Sequence, residues 1–183
     1  MKEKISVKKL VILSLLMAMT TVLKFVSIGN GEFRISLFEV PIILAGMIAG
    51  PAMGIVVAFG GDLIYGIIGG YPYSIIMAIS AMLWGIMGGI FYKKKIKIFP
   101  LILCVLITSL LTTINNSFQQ YIWFKEGMWI RLPVRIIVML IKAVILPIII
   151  YILGVRVFKL KNYQYNKIKK RKIKLRRKNR TIV

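Results

Sequence analysis

Apolar residues run almost unbroken in six blocks, 10–28, 37–49, 52–68, 74–92, 99–121 and 131–158, separated by short segments where Gly, Pro, Lys or Arg collect. Blocks of this kind predict membrane helices, each of which takes roughly 20 apolar residues to cross a bilayer. The stretch 40–68 decides how many there are. It is too long for one span, and the Gly50-Pro51 step inside it allows two short spans with a sharp reversal between them. The second and third blocks are rich in small residues (Ala45, Gly46, Ala49, Gly50, Gly54, Ala58, Gly60, Gly61). Small residues let helix backbones approach closely in lipid, so packing is the expected role of these glycines.

Lysine placement sets the direction of the spans. Cytoplasmic loops hold the excess of Lys and Arg. Here Lys2, Lys4, Lys8 and Lys9, the segment 93–97 and the tail after Phe158 are all basic. A chain that starts inside returns all three to one side only if the Gly50-Pro51 region is a cytoplasmic turn. The expectation is therefore an all-α integral membrane protein with six transmembrane helices in one bundle and both termini cytoplasmic. Outside loops fall at 29–36, 69–73 and 122–130. Residues 1–158 form the membrane domain, and 159–183 form a basic cytoplasmic tail that is either a helix along the membrane surface or disordered. The first block has the look of a signal peptide, but its apolar run is nearer 19 residues than the 7–15 of such a segment. It is expected to remain as the first span.

Composition narrows the class further. Hydrophobic residues make up 58% of the chain and the mean hydropathy is +0.82, against about 45–50% apolar in an average soluble domain. The formal net charge is +22, from 27 Lys and Arg against 5 Asp and Glu. About a dozen of those cations lie after Phe158 and most others flank spans on one side. Anionic inner-leaflet lipid, at about 1 kcal/mol per residue near the surface, is their expected partner rather than nucleic acid. Histidine is absent, and the single Cys104 sits inside a predicted span. No cofactor or metal is expected. No period of 20–50 residues recurs, which argues against a repeat array.

Polar residues inside the spans carry the functional signal, since they usually face a bundle interior or a wet cavity. On the fifth span Thr108, Thr112, Asn115 and Gln119 form one stripe, with Ser109, Thr113, Asn116 and Gln120 beside it. Eight such groups exceed what interhelical hydrogen bonding uses, and they crowd the outer half, predicting a cavity open to the outside. On the sixth span Arg131, Arg135 and Lys142 share a face, and Lys142 lies roughly 16 Å below Arg131 at 1.5 Å per residue. Asp62, on the third span, has comparable depth. Two roles stand open for Asp62 and Lys142: pairing with each other, or contact with a ligand. Glu39, in the first turn of the second span, is expected to be shallow and paired with Arg34 or Lys24. Tyr73, Met77, Ser80, Trp84 and Met87 share a face of the fourth span, and Tyr65 lies one turn beyond Asp62. Tyr71 and Tyr73 suit the interfacial belt as well as a site, whereas Trp84 is too deep for the belt. A cavity with amide, aromatic and cationic walls suits a small molecule with an aromatic head and an acidic tail.

Several segments have a familiar pattern. Phe33-Arg34-Ile35-Ser36-Leu37, Pro41-Ile42-Ile43-Leu44-Ala45-Gly46, Gly50-Pro51, Gly60-Gly61-Asp62-Leu63, Gly70-Tyr71-Pro72-Tyr73 and the run from Arg135 through Lys142 to Pro147 are together similar to substrate-binding (S) components of energy-coupling factor (ECF) vitamin transporters. The folate branch is the one they resemble, over roughly residues 9–153. The resemblance implies a bacterial plasma-membrane protein that captures a vitamin from outside. It then docks on a shared module, a transmembrane coupling protein with two cytoplasmic ATPases. It also implies that small residues spaced by four on the first helix form the docking face; Ser14 and Ala18 stand at those positions, Ser14 in place of the more usual alanine. The expected substrate-binding residues are Arg34, Asp62, Tyr65, Tyr71, Tyr73, Trp84, Asn115, Gln119, Arg131, Arg135 and Lys142, with the pterin edge on Asp62 and the acidic tail on the arginines. Pantothenate, pyridoxine and a queuosine precursor remain alternative cargoes.

The residues themselves favour a binding subunit over other classes. No Gly-rich loop ending in Lys-Ser or Lys-Thr is present to cradle ATP phosphates. A membrane hydrolase would need a Ser-His pair, a metal cluster or several close carboxylates. A stand-alone carrier would be favoured by two-fold internal similarity, which the chain does not display.

Overall fold

The computed structural model describes residues 6–26, 36–70, 74–94, 96–125 and 127–154, without the side chains of residues 123, 124 and 127–131. Arg34, Tyr71, Tyr73, the side chain of Arg131, Lys95 and the tail 159–183 therefore lie outside the described residues. Six helices make up the described chain: α1 (Val7–Phe25), α2 (Glu39–Ala49), α3 (Pro51–Gly69), α4 (Ile75–Ile90), α5 (Ile98–Phe124) and α6 (Gly127–Ile152).

Local chemistry explains where they begin and end. Ser6 and Ser74 cap α1 and α4, their hydroxyls accepting from the backbone N–H of Lys9 and Met77, which satisfies a donor that the first turn leaves orphaned. Gly50 at φ +99° takes a backbone conformation that side chains disfavour, and Pro51 opens α3 directly after it. The reversal expected at Gly50-Pro51 is thus two adjoining helices with a single residue between them.

The central element is α2, in which every residue from Glu39 to Met47 is buried. A helix apolar all round belongs in the middle of a bundle, and α1, α3, α4 and α6 all pack on it. Its seams with α3 and α4 are closed by glycine. A methyl group added at Gly88 would clash with the Ile43 carbonyl oxygen and stand 2.9 Å from the Ile43 Cα, and one at Gly46 would stand 2.7 Å from the Gly89 nitrogen. Gly54 and Gly85 meet in the same way across α3 and α4. Backbone thus lies against backbone, the dense contact that membrane helices use where lipid supplies no hydrophobic drive. Gly46 of α2 and Gly54 of α3 do serve packing against the glycines of α4, while Gly60 and Gly61 of α3 face Met17 and Thr20 of α1.

The outer faces are apolar. On α5, Ile107, Leu111, Ile114 and Phe118 are exposed, one residue around from the buried and half-buried stripe Thr108, Thr112, Asn115 and Gln119. By length and composition, three helical stretches among the described residues can cross a membrane (51–69, 98–122 and 132–152), with α2 and α4 as shorter apolar helices. At about 1.5 Å per residue, α2 is about 16 Å long, roughly half of a 30 Å hydrocarbon layer.

Candidate functional site

Two polar groups sit inside this apolar bundle. The first surrounds Phe38, the residue that precedes α2. Lys24, in the last turn of α1, forms an ion pair with Asp62 of α3, and their side chains are 11% and 9% exposed. Lys142 of α6 donates to Glu39 Oε1 at 2.6 Å. Both ammonium groups also face the Phe38 ring, Lys24 Nζ at 4.5 Å and Lys142 Nζ at 5.7 Å from its centroid. Tyr65 closes the cluster, with its ring 4.8 Å from that of Phe25 and 5.7 Å from Lys24 Nζ. Two cations and two anions around one aromatic ring form a net-neutral knot that joins α1 to α3 and α2 to α6.

This arrangement corrects two expectations. Asp62 and Lys142 do not pair with each other, because α3 packs on α1, α2 and α4 while α6 meets α2 and α5. Glu39 is not a shallow interfacial group either; it is 3% exposed. The cause is the shortness of α2. An eleven-residue helix begins part of the way down the bundle, level with the middle of α6 where Lys142 projects, rather than at the mouth.

The second group ties α4 to α5. Asn115 donates from Nδ2 to the Ile76 carbonyl at 2.7 Å and to Ser80 Oγ at 2.8 Å, and Ser80 donates in turn to Asn116 Oδ1 at 2.7 Å. Both N–H groups of Asn115 are thereby committed between helices, so part of the polar face serves packing. Thr108 and Thr112 donate back to carbonyls of their own helix. Across the next seam, Arg135 donates from Nη1 to Ser117 Oγ at 3.4 Å. Ser117 falls outside both stripes read from the sequence, and only the proximity of α6 reveals it.

Other polar atoms on α5 find no partner. Gln119 is 1% exposed, and neither its amide oxygen nor its nitrogen has one; the same holds for Ser109 Oγ and Gln120 Oε1, and for Oε2 of Glu39. A buried polar group without a hydrogen bond costs about 1–3 kcal/mol, and native proteins retain few of them. Trp84 is 4% exposed and packs within the hydrophobic core.

The chemistry open to this set is recognition. Its ammonium and carboxylate groups are paired, and among the described residues no three His, Cys, Asp or Glu side chains gather to hold a metal. On the opposite flank, Ser14 and Ala18 are exposed on α1, and Ser14 Oγ donates to the Leu10 carbonyl at 3.1 Å. With its hydroxyl satisfied inside the helix, Ser14 can face an apolar partner much as alanine would.

No curated protein matches the sequence. Among solved structures, the crystal structure of FolT bound with folic acid superposes with a TM-score of 0.74 at 24% sequence identity, covering 81% of this chain and 93% of that one. At that identity the likeness is one of fold. The family described as "ECF transporter, substrate-specific component" matches residues 8–154. The chain belongs to that family, and is thus an integral membrane protein that binds a substrate for transport rather than an enzyme.

Proposed function

We propose that this chain captures folate from outside the cell and delivers it through an ATP-driven module. The observation that carries the proposal is the fully buried Gln119, whose amide offers a donor and an acceptor with no protein partner. It lies on a helix whose neighbouring Asn115 and Asn116 are already fixed against α4. A ligand that carries both donors and acceptors along its length, as the benzoyl amide of a folate does, completes such an amide, and a folate-bound protein shares the fold. Arg135 meets the glutamate tail, because a guanidinium forks onto a carboxylate. Tyr65 and Trp84 contribute ring faces, and Arg34, Tyr71, Tyr73 and Arg131 complete the proposed set of ligand-binding residues. Asp62, held by Lys24, is engaged within the protein in this reading.

All six helices cross a bacterial plasma membrane, with both ends and the Lys93–Lys97 segment in the cytoplasm and the tail 159–183 on anionic lipid. Ser14 and Ala18, exposed beside Leu10, Val11, Leu15 and Val22, dock on the coupling protein that links the subunit to two ATPases. To test the cargo, the chain is purified in detergent from cells grown on rich medium, and the small molecule it carries is identified by mass spectrometry. Folate or a reduced folate is expected. Recovery of pantothenate or pyridoxine in its place would overturn the assignment while leaving the family unchanged.

A further inference from the structure

The sequence points to Asp62 as the acid that reads a ligand ring, but the structure engages Asp62 with Lys24 on α1. The other deep acid is in a different position. Glu39 is 3% exposed, accepts from Lys142 at Oε1, and leaves Oε2 buried with no partner. An ionised carboxylate has about four lone-pair sites. One bond to an ammonium leaves both Oε2 and a second site on Oε1 open to donors.

Its level in the bundle can be read from α6. In the hairpin of α5, which ends at Phe124, and α6, which starts at Gly127, the Arg135–Ser117 bond registers the two helices. Position sums across that antiparallel pair are near 252, so Lys142 stands opposite residue 110. Ser109, 4% exposed with an unpartnered Oγ, is therefore at the depth of Lys142 and Glu39. Gln119 lies ten residues further along α5, roughly 15 Å nearer the hairpin turn at 1.5 Å per residue. The unpartnered buried atoms thus form a column, with the Glu39 carboxylate and the Ser109 hydroxyl at one end and the Gln119 amide, near the level of Arg135, at the other.

We propose that Glu39 is the carboxylate that accepts the donor edge of the ligand's ring, with Lys142 holding its other oxygen in place. This assignment rests on the folate reading and names the specificity residue of that site. The 2-amino group and adjacent ring N–H of a pterin are two neighbouring donors, matched to the two oxygens of one carboxylate. The ring sits at the Glu39 end, and the acidic tail extends past Gln119 to Arg135. Lys142 acts through Glu39 as a positioning residue.

The test compares folic acid with its 2-deamino analogue by calorimetry on the full chain in detergent. Hydrogen bonds to charged groups contribute about 1.5–3 kcal/mol, so the wild-type chain is expected to favour folic acid by about tenfold to a hundredfold. Glu39→Gln alone leaves Lys142 buried without its carboxylate, so the informative variant is the charge-neutral E39Q/K142M. It should melt near the wild-type temperature and lose the discrimination. Glu39→Asp keeps the charge but draws it back, and should also lose discrimination, which covers the case in which the double variant does not fold. Wild-type discrimination retained in either variant overturns the assignment and leaves Glu39 only as the partner of Lys142. Failure of the wild-type chain to bind folic acid overturns the folate reading itself, and this assignment with it.

Discussion

Replacing Gly85 with alanine tests the frame that holds the site. A Cβ there would stand 2.6 Å from the Gly54 carbonyl oxygen and 2.9 Å from the Ile55 nitrogen, whereas ordinary contact begins at 3.4 Å. Both atoms are backbone, as is the still closer Gly54 carbonyl carbon, so no side chain can swing aside, and α3 and α4 must separate by at least about 0.8 Å, the difference between 3.4 and 2.6 Å. A gap of 0.5–1 Å forfeits about a quarter to a half of each dispersion contact along a seam. Overpacking of this kind costs about 1–3 kcal/mol, and a backbone clash belongs near the upper end. The control is Gly60→Ala, where the atoms nearest the added methyl all belong to the Met17 side chain, with Cε at 2.7 Å and Sδ at 2.8 Å. Methionine adapts readily, and the gain of about 0.5–1 kcal/mol in helix preference over glycine offsets the remainder. In thermal unfolding in detergent, about 3 kcal/mol corresponds to a loss of roughly 6–12 °C for a chain of this size. G85A should show that loss and G60A a shift of a few degrees at most. The packing argument is refuted if G85A melts like the wild type, or if G60A is the more damaged of the two.

Three further outcomes follow from the same geometry. Asp62→Asn strands the buried Lys24 ammonium and should cost about 3–5 kcal/mol, most of it regained in K24M/D62N; equal stability of the single and double variants would show that the pair is not a structural tie. Ala18→Trp, on the exposed face of α1, should leave folate binding by the isolated subunit intact and abolish uptake in cells, and impaired binding would place Ala18 in the packing of the fold. A cysteine at Lys94, exposed just after α4, should resist a membrane-impermeant thiol reagent in intact cells, and labelling there would contradict the six-crossing topology.

Much of the architecture was legible in the sequence because membrane helices announce themselves by length, hydropathy and their breakers. The Gly50-Pro51 step marked the reversal between α2 and α3 to the residue, and the polar stripes of α5 do face inward, as Thr108, Thr112 and Gln119 show. Element ends drifted by a few residues: α1 starts at Val7 and α6 at Gly127, since lysines and arginines snorkel and are tolerated in terminal turns. Partner choice was not legible. Periodicity places Asp62 and Lys142 on faces and at depths, but which helices adjoin is a property of the whole bundle. That property gave Asp62 to Lys24 and Lys142 to Glu39. The depth of Glu39 is hidden for a related reason: a first-turn residue is shallow only where its helix starts at the membrane surface, and α2 is too short for that. The thirteen residues of the block 37–49 are the clue the sequence offers. The glycines of α4 were likewise visible, yet only the approach of α2 and α3 explains why Gly85, Gly88 and Gly89 carry no side chain.

Isothermal calorimetry on the purified chain in detergent, with folic acid, a pterin lacking the glutamate tail and pantothenate as titrants, bears on the central claim most directly. Folic acid should bind most tightly, the tail-less pterin more weakly, and pantothenate not measurably. Arg135→Ala should narrow the difference between the first two, because it removes a cation that only the tail uses. Tight binding of pantothenate without binding of folic acid would contradict the account of a ring held deep in the bundle and an acidic tail held by α6.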